Sequence, residues 1–170
     1  LGLEKALAAS PGAPSLVTQR KQPLTLAAIL SLLAAGQGSS YRRAVVDWGV
    51  APFDAARACF ALLWFFTARA GDALRLRASA IAVRPDGVSV TPGVSKTDPT
   101  GKRWGDSPTF IPFGGPLDAA RWLADLLAAR GSQPTAPLFT DARGAPLAWE
   151  WLAGLLAHCL RRSMPAEEAT

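Results

Sequence analysis

One segment of the chain has the composition of a protein interior. Residues 55–67 are nearly all apolar around a helical wheel, and Asp54 directly before them is a suitable N-cap. A helix without a polar face is buried in the centre of a domain rather than lying on its surface. The surrounding apolar run, residues 58–68, is too short to span a bilayer, and the N-terminus lacks a signal-peptide pattern. We therefore expect a soluble protein that folds around this helix.

Length and composition favour a single domain with a short leader. With 170 residues and 49% hydrophobic content, the chain can bury a substantial core. A stretch rich in Pro, Gly and Ser marks residues 1–19 as a leader or linker from a preceding domain, and residues 20–170 as the domain itself. The sequence begins at Leu1 and stops without a turn signal. We expect a fragment at both ends.

Capping and turn residues divide the part of the chain before the central helix. Thr25 is a suitable N-cap for an amphipathic helix over residues 26–35, which Gly36 would end. Residues 37–53 are polar and contain several glycines. This composition predicts a loop that can include one helical turn around Val45.

The second half of the chain alternates between strand and helix patterns. Residues 82–84 and 88–91 predict two strands joined by a tight turn, and residues 109–113 predict a third. Residues 116–130 and 147–162 show the apolar periodicity of amphipathic helices. The predicted fold is α+β, mostly helical with a small three-stranded antiparallel sheet.

Charged residues follow the central helix at a spacing that indicates function. Arg69 stands where that helix should stop, and burying a guanidinium there is costly unless an anion meets it. Asp72, Leu76 and Ile81 follow at three, seven and twelve residues. This spacing resembles the Arg-x-x-Glu-x-x-x-Leu-x-x-x-x-Ile signature of the tyrosine recombinases, the phage-integrase family. The basic-x-Pro-Leu-Thr sequence at residues 21–25 is similar to the start of their catalytic domain.

The resemblance extends in order and spacing over residues 20–163, and it implies an activity. It implies the N-terminal two-thirds of a recombinase catalytic domain, from a mobile element or phage-like integrase, that acts in DNA recombination and integration. In this family a tyrosine attacks the scissile DNA phosphate, leaving a 3′-phosphotyrosyl bond and a free 5′-hydroxyl, without a metal or cofactor. The implied partner is double-stranded DNA, on which the full-length protein would form a homo-oligomer. The implied location is the nucleus in a eukaryote, or the cytoplasm in a bacterium or phage.

Three residues match catalytic roles of that family. Arg69 would stabilise negative charge on the non-bridging phosphate oxygens in the transition state. Asp72 would orient the Arg69 guanidinium from one helical turn away. Lys96, in the connection between the second and third predicted strands, would donate a proton to the leaving 5′-oxygen.

The charge balance agrees with a nucleic-acid partner without requiring one. Eighteen basic residues, fourteen of them arginine, exceed thirteen acidic residues and give a net charge of +5. In the recombinase interpretation four of these side chains would face the DNA backbone. They are Arg75, Arg77, Lys102 and Arg103.

The remaining parts of the family's catalytic set are not matched in the same way. His158 and Arg161 have the spacing of its His-x-x-Arg pair but lie one helix earlier than the family places it. The interpretation we favour for His158 is a histidine facing solvent on the polar side of its helix. Tyr41, the one tyrosine, lies far upstream of the family's nucleophile, so we expect neither catalysis by Tyr41 nor a complete reaction by this chain.

Two other interpretations stay open. The chain can be a degenerate, catalytically inactive recombinase fold kept for DNA binding or interaction, with Arg69 and Asp72 as a structural ion pair and Lys96 as a solvated loop residue. It can also be a helical interaction domain unrelated to DNA. Cys59 and Cys159 lie a hundred residues apart, and this spacing predicts neither a zinc site nor a disulfide framework and fits a reducing, intracellular setting.

Overall fold

The fold is α+β, as the sequence predicts. The computed structural model describes residues 25–66, 70–93, 100, 107–115, 117–131 and 133–163. This part of the chain contains five α-helices and two antiparallel sheets. The helices are α1 (Leu26–Gly36), α2 (Phe53–Phe66), α3 (Ala70–Ala73), α4 (Ala119–Arg130) and α5 (Trp149–Ser163). The strands are β1 (Ser40–Tyr41), β2 (Ala44–Val45), β3 (Ile81–Arg84), β4 (Gly87–Val90) and β5 (Thr109–Pro112).

Helix α1 begins and ends close to its predicted limits. The Thr25 hydroxyl accepts a hydrogen bond from the Ala28 N–H at 3.2 Å, which confirms the predicted N-cap. Gly36 is the last helical residue, where α1 meets α5. A Cβ at Gly36 would lie 2.6 Å from Cys159 Sγ and 2.8 Å from the Trp48 ring. The glycine therefore allows a close approach that any larger residue would prevent.

The predicted helical turn around Val45 is wrong. Residues 40–45 form a β-hairpin in which Ser40 pairs with Val45 and Tyr41 pairs with Ala44. Arg42 and Arg43 form its two-residue turn with left-handed φ angles of 49° and 70°. Adjacent β-branched residues at 45 and 46 favour this extended backbone over a helix.

Helix α2 is the buried centre of the domain, as the sequence predicts. Residues 58–62 on it are all buried, and Ala55, Ala56, Ala58, Cys59 and Ala61 are completely inaccessible. The helix starts at Phe53, so Asp54 lies in the first turn rather than at the predicted cap position. Phe65 in the last turn is 37% exposed, whereas Leu63, Trp64 and Phe66 pack against the core. The predicted extension to residue 67 falls outside the described residues.

The three-stranded sheet has the predicted order, with β4 between β3 and β5 and all pairs antiparallel. Val88 pairs with Val83 on one side and with Ile111 on the other. Val88, Val90 and Ile111 are at most 2% exposed and form the face that packs on the core. The connection between β4 and β5 spans residues 91–108.

Helices α4 and α5 complete the core and begin later than predicted. Asp118, with a left-handed φ of 43°, delays the start of α4, and Gly131 follows its end as expected. Leu147 is buried before α5 begins rather than within the helix. Leu138 and Phe139, in the connection between the two helices, are fully buried. Among the described residues, none of these helices has both the length and the apolar character needed to cross a membrane.

Candidate functional site

Three of the predicted site residues line one open cavity. The cavity has a volume of about 380 Å³, and Asp72, Arg75 and Arg77 are among its lining residues. Residues 91–93, which follow β4, line it as well. Both the signature segment and the start of the β4–β5 connection therefore border the same space.

Apolar residues of the signature fix this segment to the core. Leu76 and Ile81 are 6% and 7% exposed and belong to the main hydrophobic cluster. Arg75 and Arg77, on either side of Leu76, are exposed. The alternation keeps the polar side chains at the surface on an anchored backbone.

The Asp72 carboxylate pairs with Arg75. Arg75 Nη2 lies 3.1 Å from Asp72 Oδ1, and Arg75 Nε donates to the Gly71 carbonyl oxygen at 2.8 Å. The Arg75 side chain is 73% exposed, so this ion pair contributes at most about 1 kcal/mol to stability. It does restrict the guanidinium, which has further N–H groups without a partner among the described residues.

Arg77 joins the cavity to a distant part of the chain. Its Nη1 donates to the Thr135 carbonyl oxygen. The backbone supports this contact, since the Leu138 N–H donates to the Leu76 carbonyl oxygen at 2.8 Å and Arg77 bridges Pro137. The Arg77 guanidinium is therefore held in place at the cavity edge.

Four predicted site residues lie outside the described residues: Arg69, Lys96, Lys102 and Arg103. Their positions in the chain can still be related to the elements around them. Arg69 falls between the end of α2 at Phe66 and the start of α3 at Ala70. Lys96 falls in the β4–β5 connection, three residues after Gly93 of the cavity lining.

His158 is partly buried and contacts Ser39 and Tyr41, so it does not simply face solvent as the helical wheel predicts. Its Nε2 lies 2.8 Å from Ser39 Oγ, and its ring centroid lies 5.4 Å from that of Tyr41. A helical wheel shows only the other residues of α5, whereas Ser39 and Tyr41 of the β1–β2 region partly cover this side of the helix. Neither His158 nor Arg161 lines the cavity of Asp72.

The Ser39–His158 pair has the geometry of a structural contact rather than of a nucleophile and its base. The Ser39 hydroxyl donates to the Gly36 carbonyl oxygen at 2.5 Å, which leaves His158 Nε2–H to donate to Ser39 Oγ. A base would instead have to accept the serine proton. Burial lowers the pKa of His158, and the positive charges of Arg162 and Arg161 lower it further.

Tyr41 and the two cysteines are also structural. The Tyr41 hydroxyl donates to the Trp151 carbonyl oxygen at 3.1 Å, and the residue is 9% exposed. Burial raises the pKa of Cys59 to about 12, and it also raises the pKa of Cys159. Both thiols are free and poorly suited to nucleophilic chemistry. Within the described ranges, no group of three or more His, Cys, Asp or Glu residues could hold a metal ion.

A second cavity was not predicted from the sequence. It has a volume of about 460 Å³ and lies between the β1–β2 turn, Pro52 and the start of α5. Arg42, Arg143 and Trp151 are among its lining residues. The adjacent arginines 42 and 43 are a sequence feature that could have indicated this cavity. The sequence does not show, however, that the hairpin brings them near the Asp141–Gly144 turn.

Comparison with known proteins leaves the relationship of this chain open. No protein-family model, curated protein or solved structure matches it.

Proposed function

We propose that this chain is part of a tyrosine recombinase catalytic domain and binds the phosphate backbone of duplex DNA. One observation carries the proposal: Asp72, Arg75 and Arg77 share a cavity with Gly93, so the segment after Arg69 and the segment before Lys96 border the same space. The signature spacing and the order of the helices and strands support it as well.

In this proposal the cavity receives a DNA phosphate. Arg75 and Arg77 contact backbone oxygens, since both guanidiniums are exposed and each is restrained by a protein oxygen. Arg69 stabilises the transition-state charge, and Lys96 protonates the leaving 5′-oxygen. Asp72 restrains Arg75 directly and would also orient Arg69.

The nucleophile is a separate requirement. Tyr41 has a buried hydroxyl that is already hydrogen-bonded to Trp151. Strand cleavage therefore needs a tyrosine that this chain does not supply, and the chain alone is proposed to bind DNA without cutting it.

The test is a fluorescence anisotropy titration of a labelled duplex at several salt concentrations. We expect affinity to fall steeply with salt, because each neutralised phosphate releases counterions. Arg69→Ala should weaken binding further, whereas Arg121→Ala, which removes an exposed arginine outside the cavity, should have little effect. Binding that is insensitive to salt and to Arg69→Ala would overturn the proposal.

A second candidate is a catalytically inactive recombinase fold that binds DNA or another partner. The engagement of Asp72 with Arg75 favours it, because an i,i+3 ion pair needs no substrate. The discriminating variant is Lys96→Ala in a reconstructed protein to which a recombinase segment carrying the nucleophilic tyrosine is joined. Loss of covalent DNA–protein complex turnover supports the enzyme, and no effect in any assay supports the inactive module.

A further inference from the structure

The second cavity contains positive charge that no ion pair among the described residues neutralises. Arg42 and Arg143 both line it, and both residues are exposed. Within the described part of the chain, neither guanidinium has a hydrogen-bond or ion-pair partner; Arg143 bonds only through its backbone N–H, to Asp141. Two unpaired guanidiniums at one concave surface favour an anionic ligand.

Arg42 is held towards this cavity at a conformational cost. It occupies a left-handed turn position with φ 49°, where Asn or Gly is more favourable, and Arg43 beside it has φ 70°. The Arg42 guanidinium carbon lies 5.5 Å from the centroid of the Tyr41 ring. Positive φ angles at both residues are typical of a two-residue hairpin turn, so the hairpin fixes the position of Arg42 at the cavity.

One acidic residue, Asp141, lines the same cavity. Asp141 Oδ1 accepts hydrogen bonds from the N–H groups of Arg143 and Ala145, both at 2.9 Å. These bonds stabilise the turn and draw the carboxylate towards the backbone. The lining still carries two guanidiniums against one carboxylate.

The rest of the lining is apolar and includes an aromatic ring. Trp151 is fixed by contacts to Tyr41 and Phe53, with ring centroids 5.8 Å and 5.7 Å away. Pro52 and Pro146 add flat apolar surface. A fixed indole beside arginines is suited to stacking with a nucleobase, and the volume falls in the range of small-molecule sites.

We propose that this cavity binds a nucleotide, with the phosphate at Arg42 and Arg143 and the base against Trp151. The cavity shares no lining residue with the cavity of Asp72, so this inference goes beyond the proposed function and does not depend on it. The nucleotide can be free or one unit of a single strand.

The experiment is isothermal titration calorimetry with adenosine 5′-monophosphate, ribose 5-phosphate and adenosine at low salt. The nucleotide should bind more tightly than either part alone, because the two parts contact different walls of the cavity. Equal affinity for ribose 5-phosphate and the nucleotide would overturn the assignment of the base to Trp151. Absence of nucleotide binding at millimolar concentration would overturn the site.

Matched arginine variants locate the binding. Arg42→Ala and Arg143→Ala should each weaken nucleotide binding roughly tenfold, since each removes a charge-assisted hydrogen bond. Arg43→Ala removes the same charge from the same turn but outside the cavity, and it should change affinity less than about twofold. Equal losses in all three variants would contradict the proposal. Arg143 lies in an exposed turn, so Arg143→Ala remains informative if Arg42→Ala impairs folding.

A final comparison identifies the source of the nucleotide. Tighter binding of a short single-stranded oligothymidylate than of thymidine 5′-monophosphate would indicate a site for one unit of a strand. Equal or weaker binding of the oligonucleotide would indicate a free nucleotide. Either result supports the site if Arg143→Ala weakens the binding, and binding that Arg143→Ala leaves unchanged would contradict it.

Discussion

The cavity of Asp72 and the junction between α1, the β1–β2 hairpin and α5 differ in how their polar groups are held. At the cavity, Asp72 contacts Arg75 three residues away, on an exposed surface. At the junction, Ser39 contacts His158 across 119 residues, and Tyr41 contacts Trp151 across 110. Exposed local contacts leave charges available to a ligand, whereas partly buried long-range contacts hold the fold together. The two regions should therefore respond oppositely to substitution.

The largest expected difference in stability comes from a pair of glycines. Gly36→Ala places a Cβ against Cys159 and Trp48 at the junction, and we expect a loss of about 1–3 kcal/mol in the free energy of unfolding. Gly71→Ala in α3 is the matched control, because its Cβ would have an ordinary contact 3.7 Å from Arg75 Nη2. It should be neutral or slightly stabilising. Urea unfolding of both variants measures this, and equal losses would remove the distinction between the regions.

A pair of serines tests the same contrast through hydrogen bonds. Ser39→Ala removes the acceptor for His158 Nε2–H and the donor to the Gly36 carbonyl, and it should cost about 1–2 kcal/mol. Ser79 is exposed and lines the cavity of Asp72, so Ser79→Ala should cost less than about 0.5 kcal/mol. Thermal unfolding followed by circular dichroism would compare them. A Ser39→Ala variant as stable as the parent would contradict the structural role given to this pair.

Acidification should destabilise the junction through His158. The folded-state pKa of His158 is lowered, so the unfolded state binds its proton more readily. The corresponding stability is complete above the unfolded value of about 6.5 and is lost as the pH falls below it towards the folded pKa. Unfolding free energies between pH 8 and pH 5 measure the effect. His158→Gln should flatten this part of the profile, and an unchanged profile would show that another group is responsible.

The smallest effect is expected at the exposed ion pair. Asp72→Asn removes the carboxylate that pairs with Arg75, and it should change stability by less than about 1 kcal/mol. The change should shrink as salt is added, because the Arg75 side chain is exposed. Urea titrations at low and high salt provide the measurement. A large, salt-independent loss would mean that Asp72 has a buried partner.

Elements with strong local patterns could be predicted from the sequence. The apolar circumference of α2 predicted its burial, and Thr25 and Gly131 marked the limits of α1 and α4. The alternating residues around the tight turn predicted β3 and β4. Each of these signals depends on residues within a few positions of one another.

Features that depend on distant contacts could not be predicted. The Arg42–Arg43 pair is not a typical hairpin turn sequence, because arginine rarely occupies two left-handed positions in succession. The environment of His158 comes from Ser39 and Tyr41, on another part of the chain. The second cavity arises from the same long-range packing, so the spacing of Arg42 and Arg143 gave no indication of it.

The proposed binding of DNA phosphates in the cavity of Asp72 can be tested through the salt dependence of duplex affinity. A variant carrying Arg75→Ala and Arg77→Ala should reduce the slope of log affinity against log salt by about 2, since each phosphate contact contributes about 0.9. The charge-matched control carries Arg43→Ala and Arg121→Ala, at exposed positions outside this cavity. A reduced slope in the first variant alone is the predicted result. Equal slopes in both variants and the parent would show that Arg75 and Arg77 do not bind DNA phosphates.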